Sequence, residues 1–261
     1  MSDAIPQPRR RIVVLTSGGP LAWSVVNGLV ERLGPVAVIE EQPETKGEII
    51  RRRVRIAGPV AALGQVAFGL WQRLGASRAQ DRIRRIRRAT GLDPTPRPDL
   101  VVARVTSLNS MAAHDALARL DPEVVAVYGT RILSRATLGA VAAPFINYHA
   151  GINPKYRGQH PAYWALAAGD KDNAGITIHL VDEGVDTGGV LYQAPATFAP
   201  EDTIATYQTV QAAVAIPLFA RAIEDALGGR LAPYTVAMPS AKNFPPTIWY
   251  YLFTGMTRGI W

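Results

Sequence analysis

The feature that most constrains the fold is a regular alternation of short apolar runs with helical segments. The run 123–128 is as apolar as a strand that is covered on both faces of a parallel sheet. Similar runs predict strands at 11–16, 35–40, 100–105, 175–181 and 189–193, and helices are predicted at 21–33, 107–120, 160–168 and 203–227. This alternation predicts an α/β fold with a Rossmann-like, doubly wound, mostly parallel sheet, whose ligands lie beyond the carboxyl ends of the strands.

The length of the chain fits one large domain with an appendage. Its 261 residues can build a substantial core, and we expect an α/β domain over 1–230 and a C-terminal aromatic extension over 231–261. No window approaches the roughly 20 uninterrupted apolar residues of a membrane-spanning helix. The N-terminus also lacks the apolar segment of a secretory signal, so we expect a cytoplasmic protein.

Several kinds of site are excluded by composition and spacing. The chain has no cysteine, which excludes disulfides, thiolate nucleophiles and cysteine-bound zinc. Its four histidines do not form an HxxxH or HExxH pattern, so we expect no metal site. The sequence contains neither the GxSxG motif of a serine hydrolase nor the glycine-rich motifs that bind dinucleotides or nucleoside triphosphates.

The net charge of +7 comes from one part of the chain. Residues 51–88 contain eleven arginines and a single acidic residue, Asp81, so the remaining residues are acidic on balance. The eleven arginines fall in an irregular segment, 43–98, which we expect to be a helical, arginine-rich insertion in the α/β domain. This insertion has neither a series of aromatic residues on which bases could stack nor a known nucleic-acid-recognition motif, so we expect no nucleic-acid partner.

Two interpretations of the insertion stay open. An apolar stretch, 59–74, lies beside the arginines, and together they would suit peripheral contact of 51–88 with an anionic membrane surface. Alternatively, the segment is a helical hairpin that packs on the core and exposes its arginines.

The aromatic tail, 248–261, could have one of three roles: it completes the core, forms a homodimer contact, or contacts a membrane.

The residues with the clearest chemistry lie between 145 and 192. Asn147 and His149 end an apolar run and are two positions apart, so on a strand they face the same side. Asp186 follows in a glycine-flanked turn. An amide can donate to a developing oxyanion and an imidazole can move a proton, while a carboxylate holds the imidazole and raises its pKa. Together these three side chains predict acyl-transfer chemistry.

This block resembles the core of the formyltransferases that use 10-formyltetrahydrofolate. The family pattern Asn-x-His-x-x-x-x-Pro-x-x-Arg-Gly is present as Asn147, His149, Pro154, Arg157 and Gly158, and the second signature ends at Asp186. The resemblance extends, more weakly, over about 99–228, whereas the first ninety residues share only the opening strand and turn. It implies an enzyme that moves a formyl group from 10-formyltetrahydrofolate to a primary amine.

The resemblance also assigns residues to roles. It implies catalysis by Asn147, His149 and Asp186. It implies donor binding by Arg131, Ile132, Leu133, Asn147 and Asp182, and substrate binding by Tyr156 and Arg157. The other histidines are interpreted as structural or surface residues: we expect His179 to pack within the sheet, His114 to lie on a helix surface, and His160 to lie near the site.

The acceptor is left open among branches of the family. Methionyl-tRNA formyltransferases share the core but carry a further C-terminal domain, and only about seventy residues follow Tyr192 here. Glycinamide ribonucleotide formyltransferases carry Asn and Ser in the first loop, where this chain has 18–21 (Gly-Gly-Pro-Leu). A third branch formylates nucleotide-linked amino sugars for surface polysaccharides. The chain looks most like this branch at Gly151, at the pair 163–164 and at the triplet 182–184. A formyl-donor hydrolase or a non-catalytic folate-binding protein is the remaining alternative.

Overall fold

A computed structural model describes residues 11–261. Its strands are β1 (Ile12–Thr16), β2 (Ala37–Glu41), β3 (Val101–Val105), β4 (Val124–Tyr128), β5 (Phe145–His149), β6 (Arg157–Gly158), β7 (Gly175–Leu180), β8 (Val190–Pro195) and β9 (Lys242–Asn243). Seven of them form one sheet in the order β3-β2-β1-β4-β5-β7-β8, and β6 pairs with β9 in a separate ribbon. The first five strands in that order are parallel, whereas β7 is antiparallel to β5 and to β8.

The helices lie on both faces of the sheet. They are α1 (Pro20–Leu33), α2 (Lys46–Leu74), α3 (Ala76–Thr90), α4 (Met111–Leu120), α5 (Arg135–Leu138), α6 (Pro161–Ala167), α7 (Tyr207–Leu227) and α8 (Ile248–Arg258). Apolar side chains of α1 and α7 fill the core on one face, and those of α4 fill the core on the other. The predicted α/β fold with a doubly wound, mostly parallel sheet is therefore confirmed.

The strand order reverses between β1 and β4. Strands β2 and β3 extend the sheet on one side of β1, while β4 and β5 extend it on the other. At such a reversal the loops after neighbouring strands diverge and leave a crevice at their carboxyl ends. The crevice is bordered here by the loop after β1, the loop after β4 and the end of β5, which carries Asn147 and His149.

The predicted insertion consists of α2 and α3. Helix α2 begins with a capping box, in which Thr45 accepts from the Glu48 N–H and the Glu48 carboxylate accepts from Thr45. Gly58, with φ 80° and ψ 165°, breaks the helix before Pro59. Helix α3 is fixed to the domain by Arg82, whose Nε donates to the buried Asp202 carboxylate over 2.8 Å.

Helix α2 differs from the sequence-based expectation in one respect. By length and composition it is able to cross a membrane, although no uninterrupted apolar run of about 20 residues is present. Because the break at Gly58 leaves sixteen residues in the apolar half, that half spans only about 24 Å, less than the roughly 30 Å of a bilayer core.

The aromatic tail forms α8 and packs on both α2 and α6. Tyr251 is buried, and its ring lies 5.0 Å from that of Phe68 in α2. Thr254 is also buried and bonds to the hydroxyl of Tyr163 in α6. The tail therefore completes a third apolar cluster, while its opposite side stays exposed. The division into a domain over 1–230 and an extension over 231–261 stays a prediction.

Candidate active site

The site begins at the carboxyl end of β5. Asn147 and His149 alternate with the buried Ile146 and Tyr148, so both side chains leave the same face of the strand. The His149 side chain is only 8% exposed, and its Nε2 atom lies 3.0 Å from the carbonyl oxygen of Tyr156. The predicted pairing of the amide with the imidazole on one side of a strand is present.

Asp186 reaches this position from the turn between β7 and β8. Its backbone has φ 53°, a left-handed conformation that aspartate tolerates better than most residues. One carboxylate oxygen accepts from the Gly158 N–H over 3.0 Å, and the other lies 3.4 Å from Nδ1 of His149. The structure therefore brings together the three residues that were predicted to be catalytic.

His179 is a fourth member that sequence reasoning missed. His179 is buried within the sheet, as predicted, but its Nε2 also lies 3.0 Å from the Asn147 side-chain nitrogen and 3.7 Å from Asp186 Oδ1. The antiparallel register of β5 and β7 sets Asn147 directly opposite His179. The sequence offered one signal: His179 lies one residue before the end of the strand that leads into the Asp186 turn.

The charges of the site follow from burial and from these contacts. Burial lowers the pKa of the His149 imidazole, and the nearby Asp186 carboxylate offsets that shift only in part. Asp186 does raise the pKa of His149, as expected, but the net shift is downward because removing an imidazolium from water costs more than the carboxylate returns. Burial alone would raise the pKa of Asp186, but His149, His179 and the Gly158 N–H hold it well below its usual range.

The loop after β4, which was predicted to bind the donor, is held by a buried ion pair. The Arg131 backbone N–H and Nε donate to the carboxylate of Glu41 over 2.7 and 2.9 Å, and Glu41 is almost fully buried. The Leu133 side chain packs in the core beside α4, whereas the Ile132 side chain is exposed. Arg131 thus fixes the loop, and donor contact by these three residues stays a prediction.

The other predicted binding residues make internal contacts. The Tyr156 ring is buried, its hydroxyl donates to Asp170 over 2.9 Å, and its carbonyl oxygen faces His149. Arg157 Nη1 donates to the Val185 carbonyl, which anchors the Asp186 turn. Its Nε is buried without a hydrogen-bond partner among residues 11–261. Substrate contact by Tyr156 and Arg157 stays a prediction.

Asp182 lies in the same turn as Asp186 but is exposed. Its Oδ1 accepts from the Gly184 N–H and the Thr187 hydroxyl, over 3.1 and 2.7 Å. These bonds shape the turn that presents Asp186, and donor binding by Asp182 stays a prediction.

The cluster can act on a carbonyl group. The Asn147 amide and an imidazole N–H are donors for an oxygen that gains negative charge, and the ionised Asp186 carboxylate can accept a proton. All four side chains lie where the sheet ends, and the turn 182–187 flanks them. This arrangement fits the addition of a nucleophile to an acyl or formyl carbon.

Comparison with known proteins agrees with this arrangement. The chain is 38% identical over 132 residues to a methionyl-tRNA formyltransferase of Pelotomaculum thermopropionicum, a match covering 50% of this chain and 41% of that protein. The chain thus spans about two fifths of that relative.

Solved structures share the fold over most of the chain. A sugar N-formyltransferase from a Shewanella species superposes with a TM-score of 0.55 at 16% identity, covering 90% of this chain and 77% of the other. Glycinamide ribonucleotide transformylase 1 from Symbiobacterium toebii superposes with a TM-score of 0.53 at 24% identity. This match covers 85% of this chain and 90% of the transformylase. WlaRD is a sugar 3N-formyl transferase crystallised with dTDP and 5-N-formyl-THF. It superposes with a TM-score of 0.53 at 12% identity, and the match covers 90% of this chain and 70% of WlaRD.

The family model described as "Formyl transferase" matches residues 10–223, which include every member of the cluster around Asp186. The match covers most of the chain and both signature segments, and the chain therefore belongs to the formyl transferase family.

Proposed function

We propose that this protein transfers a formyl group from 10-formyltetrahydrofolate to the primary amine of a nucleotide-linked amino sugar. The observation that carries the proposal is the cluster at the end of β5, where Asn147, His149 and Asp186 converge with His179. A formyl transfer needs donors for the carbonyl oxygen and an acceptor for the amine proton. The cluster supplies both kinds of group.

The residues have separate tasks in this proposal. Asn147 donates a hydrogen bond to the oxygen of the formyl carbon through its side-chain amide. His149 donates a second one through Nε2, which exchanges its present partner, the Tyr156 carbonyl, for that oxygen. Asp186, whose low pKa keeps it ionised near neutral pH, accepts the proton that the attacking amine releases. The bond between the formyl carbon and the folate nitrogen then breaks, and the proton passes to that departing nitrogen, which leaves as tetrahydrofolate.

His179 orients Asn147, because its Nε2 accepts from the Asn147 amide N–H while its Nδ1–H donates to the Leu180 carbonyl. The loop 131–133 and Asp182 would hold the folate donor, which supplies the formyl group.

An open groove of about 520 Å³ is a candidate position for part of the acceptor, although none of the four clustered side chains lines it. It lies beside the β6–β9 ribbon, in which Gly158 pairs with Asn243 and also donates to Asp186. Trp164 of α6 contributes to its wall, whereas the neighbouring Tyr163 is fully buried. The aromatic lining can stack on a base or a sugar ring.

Methionyl-tRNA is the second candidate acceptor, and it is favoured by the sequence match to a methionyl-tRNA formyltransferase. The sugar acceptor is favoured by the match in fold to sugar N-formyltransferases, which extends over a larger share of the chain. Glycinamide ribonucleotide is a further possible acceptor, and it is likewise supported by a match in fold, to the transformylase structure. We rank the nucleotide-linked sugar first because the fold match to a sugar N-formyltransferase covers 90% of this chain and the groove beside β9 is lined by aromatic side chains.

One experiment separates these acceptors. Purified protein is incubated with 10-formyltetrahydrofolate and, in parallel, with UDP-, dTDP- and GDP-linked amino sugars, glycinamide ribonucleotide, methionyl-tRNA or no acceptor. Tetrahydrofolate release and the mass of the acceptor are measured. We expect release and a formylated product only with an amino-sugar nucleotide. Formylated methionyl-tRNA alone would contradict the sugar acceptor, and formate release without an amine would show hydrolysis.

A further inference from the structure

The apolar half of α2 has no polar face. Residues 59–72 contain no charged side chain, although a surface helix ordinarily carries polar residues opposite its buried side. Ala62, Gln65 and Phe68 are buried against the rest of the protein. The opposite side carries Val60, which is 72% exposed, and Leu63, which is 67% exposed.

These exposed residues form a continuous stripe. Val60, Leu63, Ala67, Leu70 and Leu74 follow a spacing of three or four and therefore lie on one side of the helix. Leu74 is 81% exposed and Leu70 is 56% exposed. Contiguous exposed apolar surface of this kind marks an interaction site more often than isolated apolar residues do.

Helix α8 widens the apolar surface. A Cβ atom on Gly64 of α2 would lie 2.3 Å from the Trp249 ring, so the two helices approach closely at this point. Val60 and Trp71, four residues before and seven after Gly64, lie at neighbouring positions around the helix axis, so the α2 stripe runs beside this approach. From Trp249 the exposed stripe of α8 continues through Phe253 to Met256. Trp249 and Phe253 also line the groove beside β9, so that groove opens at the edge of this surface.

Arginines lie at both ends of this surface. Arg51 and Arg55 precede the apolar half of α2, and Arg73 and Arg78 follow it. No carboxylate of residues 11–261 pairs with these four arginines, whereas Arg52 and Arg82 do have acidic partners. We propose that the exposed faces of α2 and α8 form a binding surface for anionic phospholipid bilayers, with the apolar stripes in the interface and the arginines on lipid phosphates.

The geometry favours a helix lying on a membrane over one crossing it. The break at Gly58 leaves an apolar segment shorter than the hydrocarbon core. Phe68 also remains packed against Tyr251 of the same domain. Apolar side chains with flanking basic residues and an interfacial tryptophan suit the boundary between headgroups and acyl chains.

Two other occupants fit less well. In a symmetric dimer this patch would meet itself, and because both ends are basic, parallel and antiparallel pairing would each bring arginines together. RNA would use the arginines and could stack on the exposed aromatic rings, but Val60 and the leucines, which make up most of the α2 stripe, offer nothing to a phosphate backbone. Charge complementarity therefore favours an anionic lipid surface.

The test is flotation of the full-length protein with phosphatidylcholine vesicles, with and without 30% phosphatidylglycerol, as the probe. We expect the wild type to bind the anionic vesicles at low salt and to bind less as salt rises. Replacing Leu63 and Leu70 by Gln together should lower the partition coefficient about tenfold or more. Replacing Arg51, Arg55 and Arg73 by Gln should lower it about fivefold for each arginine.

Matched controls come from α4, which lies on another face. Met111→Gln removes an exposed apolar side chain, and Arg119→Gln removes an exposed arginine, and neither should change binding. Hydrogen exchange of the wild type needs no variant and should show vesicle-dependent protection at 59–74.

Three results would overturn the proposal. The first is a wild type that does not float with anionic vesicles at low salt. The second is a dimer that the Leu63 and Leu70 replacements convert to a monomer without any vesicle binding. The third is tRNA binding that weakens in the arginine variants, together with vesicle binding that is unaffected by the leucine variants.

Discussion

The backbone N–H of Gly158 donates to Oδ2 of Asp186 over 3.0 Å. Gly158 belongs to β6, whose only partner strand within residues 11–261 is β9 near the aromatic tail. The position of the candidate catalytic carboxylate therefore depends on a strand pair outside the main sheet. This contact links the family motif that ends at Gly158 to the second signature at Asp186.

We predict that Gly158→Ala damages both stability and turnover. Gly158 has φ 87°, and an added Cβ would lie 2.3 Å from the Asn243 carbonyl oxygen, so β9 or the Asp186 turn must shift. Gly229→Ala is the control, because its φ is 64° and no atom lies within 4 Å of an added Cβ. The control should lose only the roughly 1–2 kcal/mol of left-handed strain. Thermal unfolding and kcat test this, and equal effects of both changes would contradict it.

Asp186→Asn should lower kcat about 10²–10³-fold while folding and donor binding stay close to wild type. The amide keeps the shape of the side chain but removes the charge beside His149. His149→Ala should have a similar effect on kcat. Asp172→Asn, at an exposed carboxylate, is the matched control. A near-wild-type rate in either site variant would remove the proposed roles.

His179→Ala should lower kcat about 100-fold, because the Asn147 amide loses the acceptor that orients it. His179→Gln should recover part of this loss, since its amide can occupy the position of Nε2. Both variants are assayed for kcat, for KM and for melting temperature. Melting temperatures that fall while kcat stays unchanged would return His179 to a packing role.

Acid should destabilise the fold through His160. Burial and the charge of Arg53 lower the pKa of His160 to about 4, from about 6.5 in an unfolded chain. Between these values only the unfolded chain binds the proton, so stability falls as pH drops, by up to about 3 kcal/mol. The lowered pKa of His149 acts in the same direction.

His160→Asn tests this contribution, because asparagine does not titrate and tolerates the φ of 53° found there. Its melting temperature should fall less between pH 7 and pH 4 than that of the wild type. Identical slopes for the variant and the wild type would contradict the assignment.

Arg82→Ala should cost about 3 kcal/mol of unfolding free energy, because it leaves the buried Asp202 carboxylate without its cation. Arg84→Ala removes an exposed pair with Asp81 and should cost about 0–1 kcal/mol. Chemical denaturation of both variants measures the difference. Losses of equal size would show that α3 is not fixed to the domain by Arg82.

Much of the fold could be predicted because its signals are local. Strands such as 123–128 are continuous apolar runs, and the helices between them carry their own caps, as Ser110 shows at α4. The spacing of Asn147 and His149 determined that they share one side of a strand. The glycines around Asp186 determined a turn. These features need only neighbouring residues, so the chain sequence itself was sufficient for them.

What the sequence could not supply is which distant residues meet. The register of β5 against β7 brings His179 to Asn147, and the approach of β2 to the loop after β4 lets Glu41 hold Arg131. Burial by the assembled domain decides the direction of the His149 pKa shift. Only tertiary packing determines these properties, because strand register and desolvation depend on elements far apart in the chain.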